Sequence, residues 1–212
     1  MKRIGLLVWC LSLTALASSA TGAVVAESTF DANLEGWVGT EPTQVCWMAT
    51  DGNPGGYLRF TDCTADLTRV HAPTGSEFLG DLSAYDGIGS ISFDQKIFLV
   101  PSSTFYLPYE INIASAAGIA QWIDDTPDGP TDWVTITANL DESEWNVLSG
   151  TWEGILSNVL SLTISVELCD DFQGVGDVAG IDNVVLTPEP ATLSLLAVGL
   201  GILARRRRRR IA

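Results

Sequence analysis

Gln44-Val45-Cys46-Trp47-Met48-Ala49-Thr50, then Asp51-Gly52-Asn53-Pro54-Gly55-Gly56, then Tyr57-Leu58-Arg59-Phe60-Thr61: this run decides the fold. Two segments with β-branched and aromatic residues flank a block of Asp, Gly, Asn and Pro. A helix does not continue through such a block, because Gly loses backbone entropy and Pro lacks an N–H. The pattern predicts a strand, a tight turn and a returning strand. Further apolar segments follow at residues 88–99, 104–114, 133–138, 160–168 and 178–186, separated by Gly, Pro, Asn and Asp. Their alternation and side-chain types predict strands. Two short helical stretches are expected, at 76–82 and at 152–159, the second with Ile155, Leu156 and Val159 at helical spacing. There is no internal repeat. The expected fold class is all-β, an antiparallel β-sandwich with one or two short helices.

Charge divides the chain into three parts. Lys2 and Arg3 stand at the N-terminus and six arginines at 205–210. Between them, residues 27–187 hold twenty-five Asp and Glu against Arg59, Arg69 and Lys96, a net charge of −22. A body this acidic repels nucleic acid and anionic membrane and suits an extracellular domain.

The two ends read as targeting segments. Met1-Lys2-Arg3, an apolar run and then small residues form a signal peptide, expected as a helix over residues 1–26. Cleavage is expected after Ala17, Ala20 or Ala26, with Ala26 favoured. Cys10 precedes every cut, and the large Trp9 before it excludes a lipobox. At the other end stand Pro188-Glu189-Pro190, an apolar run at 191–204, and the arginines beginning Arg205-Arg206-Arg207. Fourteen residues of helix reach about 21 Å, short of a hydrocarbon core of about 30 Å. The expected short transmembrane helix is therefore a temporary anchor, with the acidic body outside by the positive-inside rule.

This order of parts over 188–212 resembles the PEP-CTERM sorting signal. The resemblance implies recognition and cleavage by an exosortase-type membrane enzyme. It also implies transient inner-membrane insertion, and delivery to the surface or matrix of an exopolysaccharide-producing Gram-negative bacterium. Residues 27–187 carry a second resemblance. Phe30-Asp31, Leu34-Glu35-Gly36-Trp37, Gly52 to Tyr57, Ala72-Pro73, Phe78 to Tyr85, Ile91 to Asp94, Trp133, Leu140 and Gly180-Ile181-Asp182-Asn183-Val184 look like the laminin B (laminin IV type A) domain. That family implies a jelly-roll sandwich related to carbohydrate-binding modules. The pattern departs from it at 67–71 and at Ser165-Val166-Glu167. In related sandwiches the last strand and residues near the N-terminus hold a structural calcium ion, which implies Asp31 or Glu35 with Asp182. The other reading of these groups is carboxylates that accept backbone N–H bonds.

Remaining chemistry is sparse. The loop at 124–132 places Asp124, Thr126, Asp128 and Gly129 at EF-hand positions, but Thr135 stands where a bidentate Glu is needed. Cys46 and Cys63 flank the hairpin and are the expected disulfide of an exported protein, the alternative being three buried thiols with Cys169. His71 is the sole histidine, and no hydrolase or phosphate-loop motif occurs. The expected function is non-enzymatic adhesion or association with exopolysaccharide. The alternative is a lectin-like module using Tyr106, Tyr109 and Trp122, with a glycoside hydrolase as the weakest reading.

Overall fold

The computed structural model describes residues 24–63, 67–100, 105–170 and 176–188. They lie in one compact unit spanning Gly22–Glu189. The expected signal helix and C-terminal transmembrane helix fall outside the described residues. Among the described residues no helix is long and apolar enough to cross a membrane.

The strands are β1 (Ala26–Ser28), β2 (Val38–Gly39), β3 (Val45–Met48), β4 (Tyr57–Thr61), β5 (Arg69–His71), β6 (Gly89–Leu99), β7 (Phe105–Tyr106), β8 (Glu110–Ser115), β9 (Gly118–Ile123), β10 (Val134–Asn139), β11 (Asn146–Ser149), β12 (Ser161–Ser165), β13 (Cys169–Asp170) and β14 (Val178–Pro188), with helix α1 (Trp152–Leu156) before β12. Two antiparallel six-stranded sheets form the sandwich. The first runs β10-β6-β14-β4-β3 with β1 along β14, and the second runs β11-β9-β8-β12-β5-β2. The expected fold class, a jelly-roll-like β-sandwich, is the one observed.

Alternation within each strand makes the layers. Ile111 and Ile113 of β8, Leu162 and Ile164 of β12, and Ile91, Phe93 and Ile97 of β6 are buried between the sheets. Phe30, Trp37, Phe60 and Phe78 extend the core at one end. Full burial of side chains this size stabilises by about 1.5–3 kcal/mol each. The hairpin that opened the sequence reading pairs Val45 with Phe60 and Met48 with Tyr57. Its turn is closed by Gly52 N–H to the Gly55 carbonyl at 3.0 Å. A Cβ on Gly52 would stand 2.2 Å from the Gly56 carbonyl oxygen, so only glycine fits.

Of the two expected helices, one forms. Thr151 caps α1, its Oγ1 accepting from Gly154 N–H at 3.2 Å. The 76–82 segment is turns instead. Gly80, at φ +101°, exchanges backbone bonds with Val159 at 2.8 and 2.7 Å, which draws it into a β-bridge. The Cys46–Cys63 disulfide is also corrected. Cys46 is the register partner of Arg59, and Cys63 lies four residues further along the chain, two beyond the end of β4. At about 3.3 Å per residue that offset is about 13 Å, far beyond the Cα separation of about 4.4–6.8 Å in a disulfide. Both thiols are exposed, while Cys169 is buried.

Candidate functional site

The outer face of the second sheet carries a row that begins at the apolar, exposed Val38 and is polar from there on, with Thr163 in its middle only 7% exposed. Val38 pairs with His71, His71 with Thr163, Thr163 with Asn112, Asn112 with Gln121, and Gln121 with Asn146. Their strand neighbours Val70, Leu162, Ile111, Ile113, Ala120 and Trp122 are buried in the core, so the row projects outward. With strands about 4.8 Å apart, six residues span about 24 Å.

An ion pair borders this row. Arg69 Nη2 lies 2.8 Å from Glu110 Oε1, and Arg69 Nε donates to the same oxygen at 2.9 Å. Asn112 Nδ2 donates to it at 2.6 Å. Arg69 is the register partner of Ser165 on the intervening strand β12, so the pair lies across that serine and buries it. Three donors thus converge on Oε1. The network holds the Glu110 carboxylate, whose side chain is 12% exposed, in a fixed position. Where the row ends, a cleft of about 510 Å³ is bounded by Val38, His71, Pro73, Leu79, Leu160 and Ser161. Amide, imidazole, hydroxyl and carboxylate groups at this spacing suit a ligand rich in hydroxyls.

The sequence-predicted residues are placed differently. Tyr109 and Trp122 are 7% and 5% exposed and pack in the core. Trp122 pairs with Ile111, which also points inward, so neither ring offers a sugar platform. Tyr106 is half-buried on β7, opposite Cys169.

Asp182 sits at a β-bulge, where the register shifts and Asn183 takes φ +48°. Its Oδ2 accepts from Asn53 N–H at 2.5 Å and its Oδ1 from Asn183 N–H at 2.8 Å. Opposite it, Asp94 accepts from Thr135 Oγ1 at 2.6 Å, Asn183 Nδ2 at 2.8 Å and Asn53 Nδ2 at 3.0 Å. Burial pushes the Asp182 carboxyl up to about 6, against the pull of the two backbone N–H groups, with Asp94 and Asp31 adding to the rise. The cluster is a clamp between the hairpin turn and strands β6, β10 and β14. Glu35 Oε1 accepts from Phe30 N–H at 2.7 Å, and Asp31 lies beside Gly55. Asp31 and Asp182 are thus near enough to interact, both against the hairpin turn, while Glu35 is turned to the Phe30 backbone. Among the described residues no three His, Cys, Asp or Glu side chains are grouped to hold a metal ion, the 124–132 loop included.

Of the sorting residues, Pro188 is the last residue of β14, paired with Gly89. Glu189, Pro190, Arg205, Arg206 and Arg207 lie outside the described residues. The row residues Arg69, His71, Glu110, Asn112, Gln121 and Thr163 were not picked out by sequence. The available signal was the alternation Glu110-Ile111-Asn112-Ile113, which marks the two polar residues as one face of a strand.

The PEP-CTERM protein-sorting motif matches residues 186–210. The motif indicates an exported protein sorted to the cell envelope. The fold is similar to the L4b domain of human laminin alpha-2, with a TM-score of 0.56, 13% identity, and coverage of 77% of this chain and 97% of that one. A xylan-binding domain from CBM 22 gives a TM-score of 0.48 at 15% identity, covering 80% of this chain and 96% of that one. The family 11 carbohydrate-binding module of Clostridium thermocellum Lic26A-Cel5E gives 0.46 at 20% identity, covering 78% and 96%. No curated protein sequence matches the chain. The chain thus joins a laminin L4b-like β-sandwich to a PEP-CTERM sorting motif.

Proposed function

We propose that this is a non-catalytic, exosortase-processed surface or matrix protein whose sandwich adheres to a glycan through the outer face of the second sheet. One observation carries the reading: the hydrogen-bonding row across strands β5, β12, β8, β9 and β11, with Glu110 fixed by Arg69 and Asn112 beside it. Sugar hydroxyls both donate and accept, and the row presents both kinds of partner. Glycoside hydrolysis needs two carboxylates across a cleft, about 5–10 Å apart. Only Glu110 stands at this row, and the oxygens of Asp94 and Asp182 are taken up in the clamp.

The test is glycan binding by the purified protein, the host's own exopolysaccharide included, against the double variant N112A/Q121A. Each hydrogen bond contributes about 0.5–1.5 kcal/mol, so losing both is expected to weaken binding about tenfold or more, with circular dichroism showing the variant still folded. A double variant that binds as tightly as the wild type, or a wild type that binds no glycan, overturns the proposal.

A further inference from the structure

The outer face of the first sheet combines cations with aromatic rings. Arg59 on β4, Gly180 on β14 and Lys96 on β6 are successive register partners. Two cationic residues thus stand about 10 Å apart at the backbone, either side of a residue with no side chain. Rings occupy the gap: a Cβ on Gly180 would lie 2.8 Å from Tyr57 Cδ2 and 3.0 Å from Phe98 Cε2. Tyr57 and Phe98 stack with centroids 5.3 Å apart and planes at 25°. Trp133 meets them edge-on at 5.5 and 6.0 Å and is held by its indole N–H to the Asp51 carbonyl at 3.1 Å. Tyr57 is buried beneath, while Phe98 and Trp133 keep part of their surface in solvent.

The charge placement gives the patch a direction. The body has three cationic side chains among twenty-five acidic ones, and two of the three converge here. Arg69, the third, is engaged by Glu110 on the opposite face. Lys96 Nζ lies 3.1 Å from Asp132 Oδ1, but that side chain is 91% exposed, so water and salt screen the pair and a ligand can replace it. The same ammonium stands 5.1 Å from the Phe98 ring centroid. Arg59 forms no ion pair among the described residues, and its Nε is buried with no acceptor. Arg59 and Tyr57 share one face of β4, as Lys96 and Phe98 share one face of β6, so charge and ring alternate around Gly180.

We propose that this face binds an acidic sugar residue of a polysaccharide. The sugar ring lies on Phe98 and Trp133, its carboxylate accepts from Arg59, and Lys96 supplies a second positive charge. Rings alone would serve a neutral sugar; the unpaired guanidinium selects the acidic one. This site stands on the opposite sheet from the polar row and does not rest on it. A module with both sites can hold two chains at once.

The test is affinity electrophoresis in gels containing polygalacturonate, with dextran gels as the neutral comparison. The reference protein is the full chain with Arg205–Arg210 replaced by Gln, because those arginines would bind any polyanion. Polygalacturonate is expected to retard it and dextran is not. R59Q and F98A are each expected to weaken the retardation constant about tenfold, consistent with loss of a charge-assisted bond or a stacking surface. About 0.5 M NaCl is expected to abolish most of the retardation. Circular dichroism melting reports on folding, and if F98A melts early then R59Q decides alone. An unretarded reference protein, an R59Q variant that binds like the reference, equal retardation by dextran, or indifference to salt overturns the proposal.

Discussion

Asp177 is the residue at which burial most alters chemistry. It is 1% exposed, and neither carboxylate oxygen makes a well-formed hydrogen bond among the described residues. Burial pushes its carboxyl up to about 8, and the neighbouring Glu167 and Asp62 carboxylates push the same way, against weaker opposition from the Leu168 N–H and its own N–H. The folded chain therefore holds a proton that the unfolded chain, with an ordinary Asp near 3.8, has released. Folded-state proton excess means that stability falls as pH rises, across the window from about 4 to about 8, with a slope near 1.4 kcal/mol per pH unit. Asp182, raised to about 6, adds to that slope only in the lower part of the window. Between about pH 6.5 and pH 8 the slope belongs to Asp177. Urea unfolding at those two pH values is expected to show the wild type losing stability and D177N losing much less. Equal losses in the two proteins would sink this assignment. No sequence pattern announced it, since Gly176-Asp177 reads as an ordinary polar turn and its burial is created by segments far away in the chain.

At the scale of elements, legibility followed length and period. The β3–β4 hairpin, β6, β10, β12 and β14 were readable because each carries at least four residues of alternation or a strong turn. Strands β1, β2, β5, β7 and β13 have two or three residues each, too few to display a period, and only their partners define them. Strand β9 is legible in principle, but Trp122, beside Gln121 and two residues before Asp124, reads as an exposed aromatic near polar groups. Pairing decides otherwise, because Ile111 and Trp122 face the core together. Replacing Trp122 by Ala is therefore expected to destabilise the sandwich by about 3–5 kcal/mol, read as a lower urea midpoint. A W122A protein of wild-type stability that has lost glycan binding would restore the original reading of this side chain. The polar row was missed for a related reason. Its polar members come from five strands, of which only β8 and β9 form a hairpin, and the register makes the rest neighbours.

For the whole molecule, the separation of an acidic body from two basic ends was plain in the sequence, and the structure sharpens where the body begins. Strand β1 lies along the last strand, with Ala26 opposite Leu186, Glu27 opposite Val185 and Ser28 opposite Val184. Val25 N–H donates to the Leu186 carbonyl at 2.9 Å, and Ser28 Oγ accepts from the buried Trp37 indole at 2.9 Å. The two ends of the body thus lie side by side, one entering through β1 and the other leaving at Pro188. Signal cleavage after Ala26 would remove the Val25 bond and the Ala26 pair, and would place a new ammonium group on the first remaining strand residue. Cleavage after Ala20 leaves the pairing whole. The mature protein is accordingly expected to begin at or before Val24, and intact-mass analysis with N-terminal sequencing of the exported form reads this directly. A chain made from Glu27 onward is expected to be about 1–2 kcal/mol less stable than one made from Thr21, since it lacks a backbone bond and a buried alanine. A native mature form starting at Glu27 would show that β1 tolerates the cut and that the small-residue pattern at Ala26 outweighs the strand.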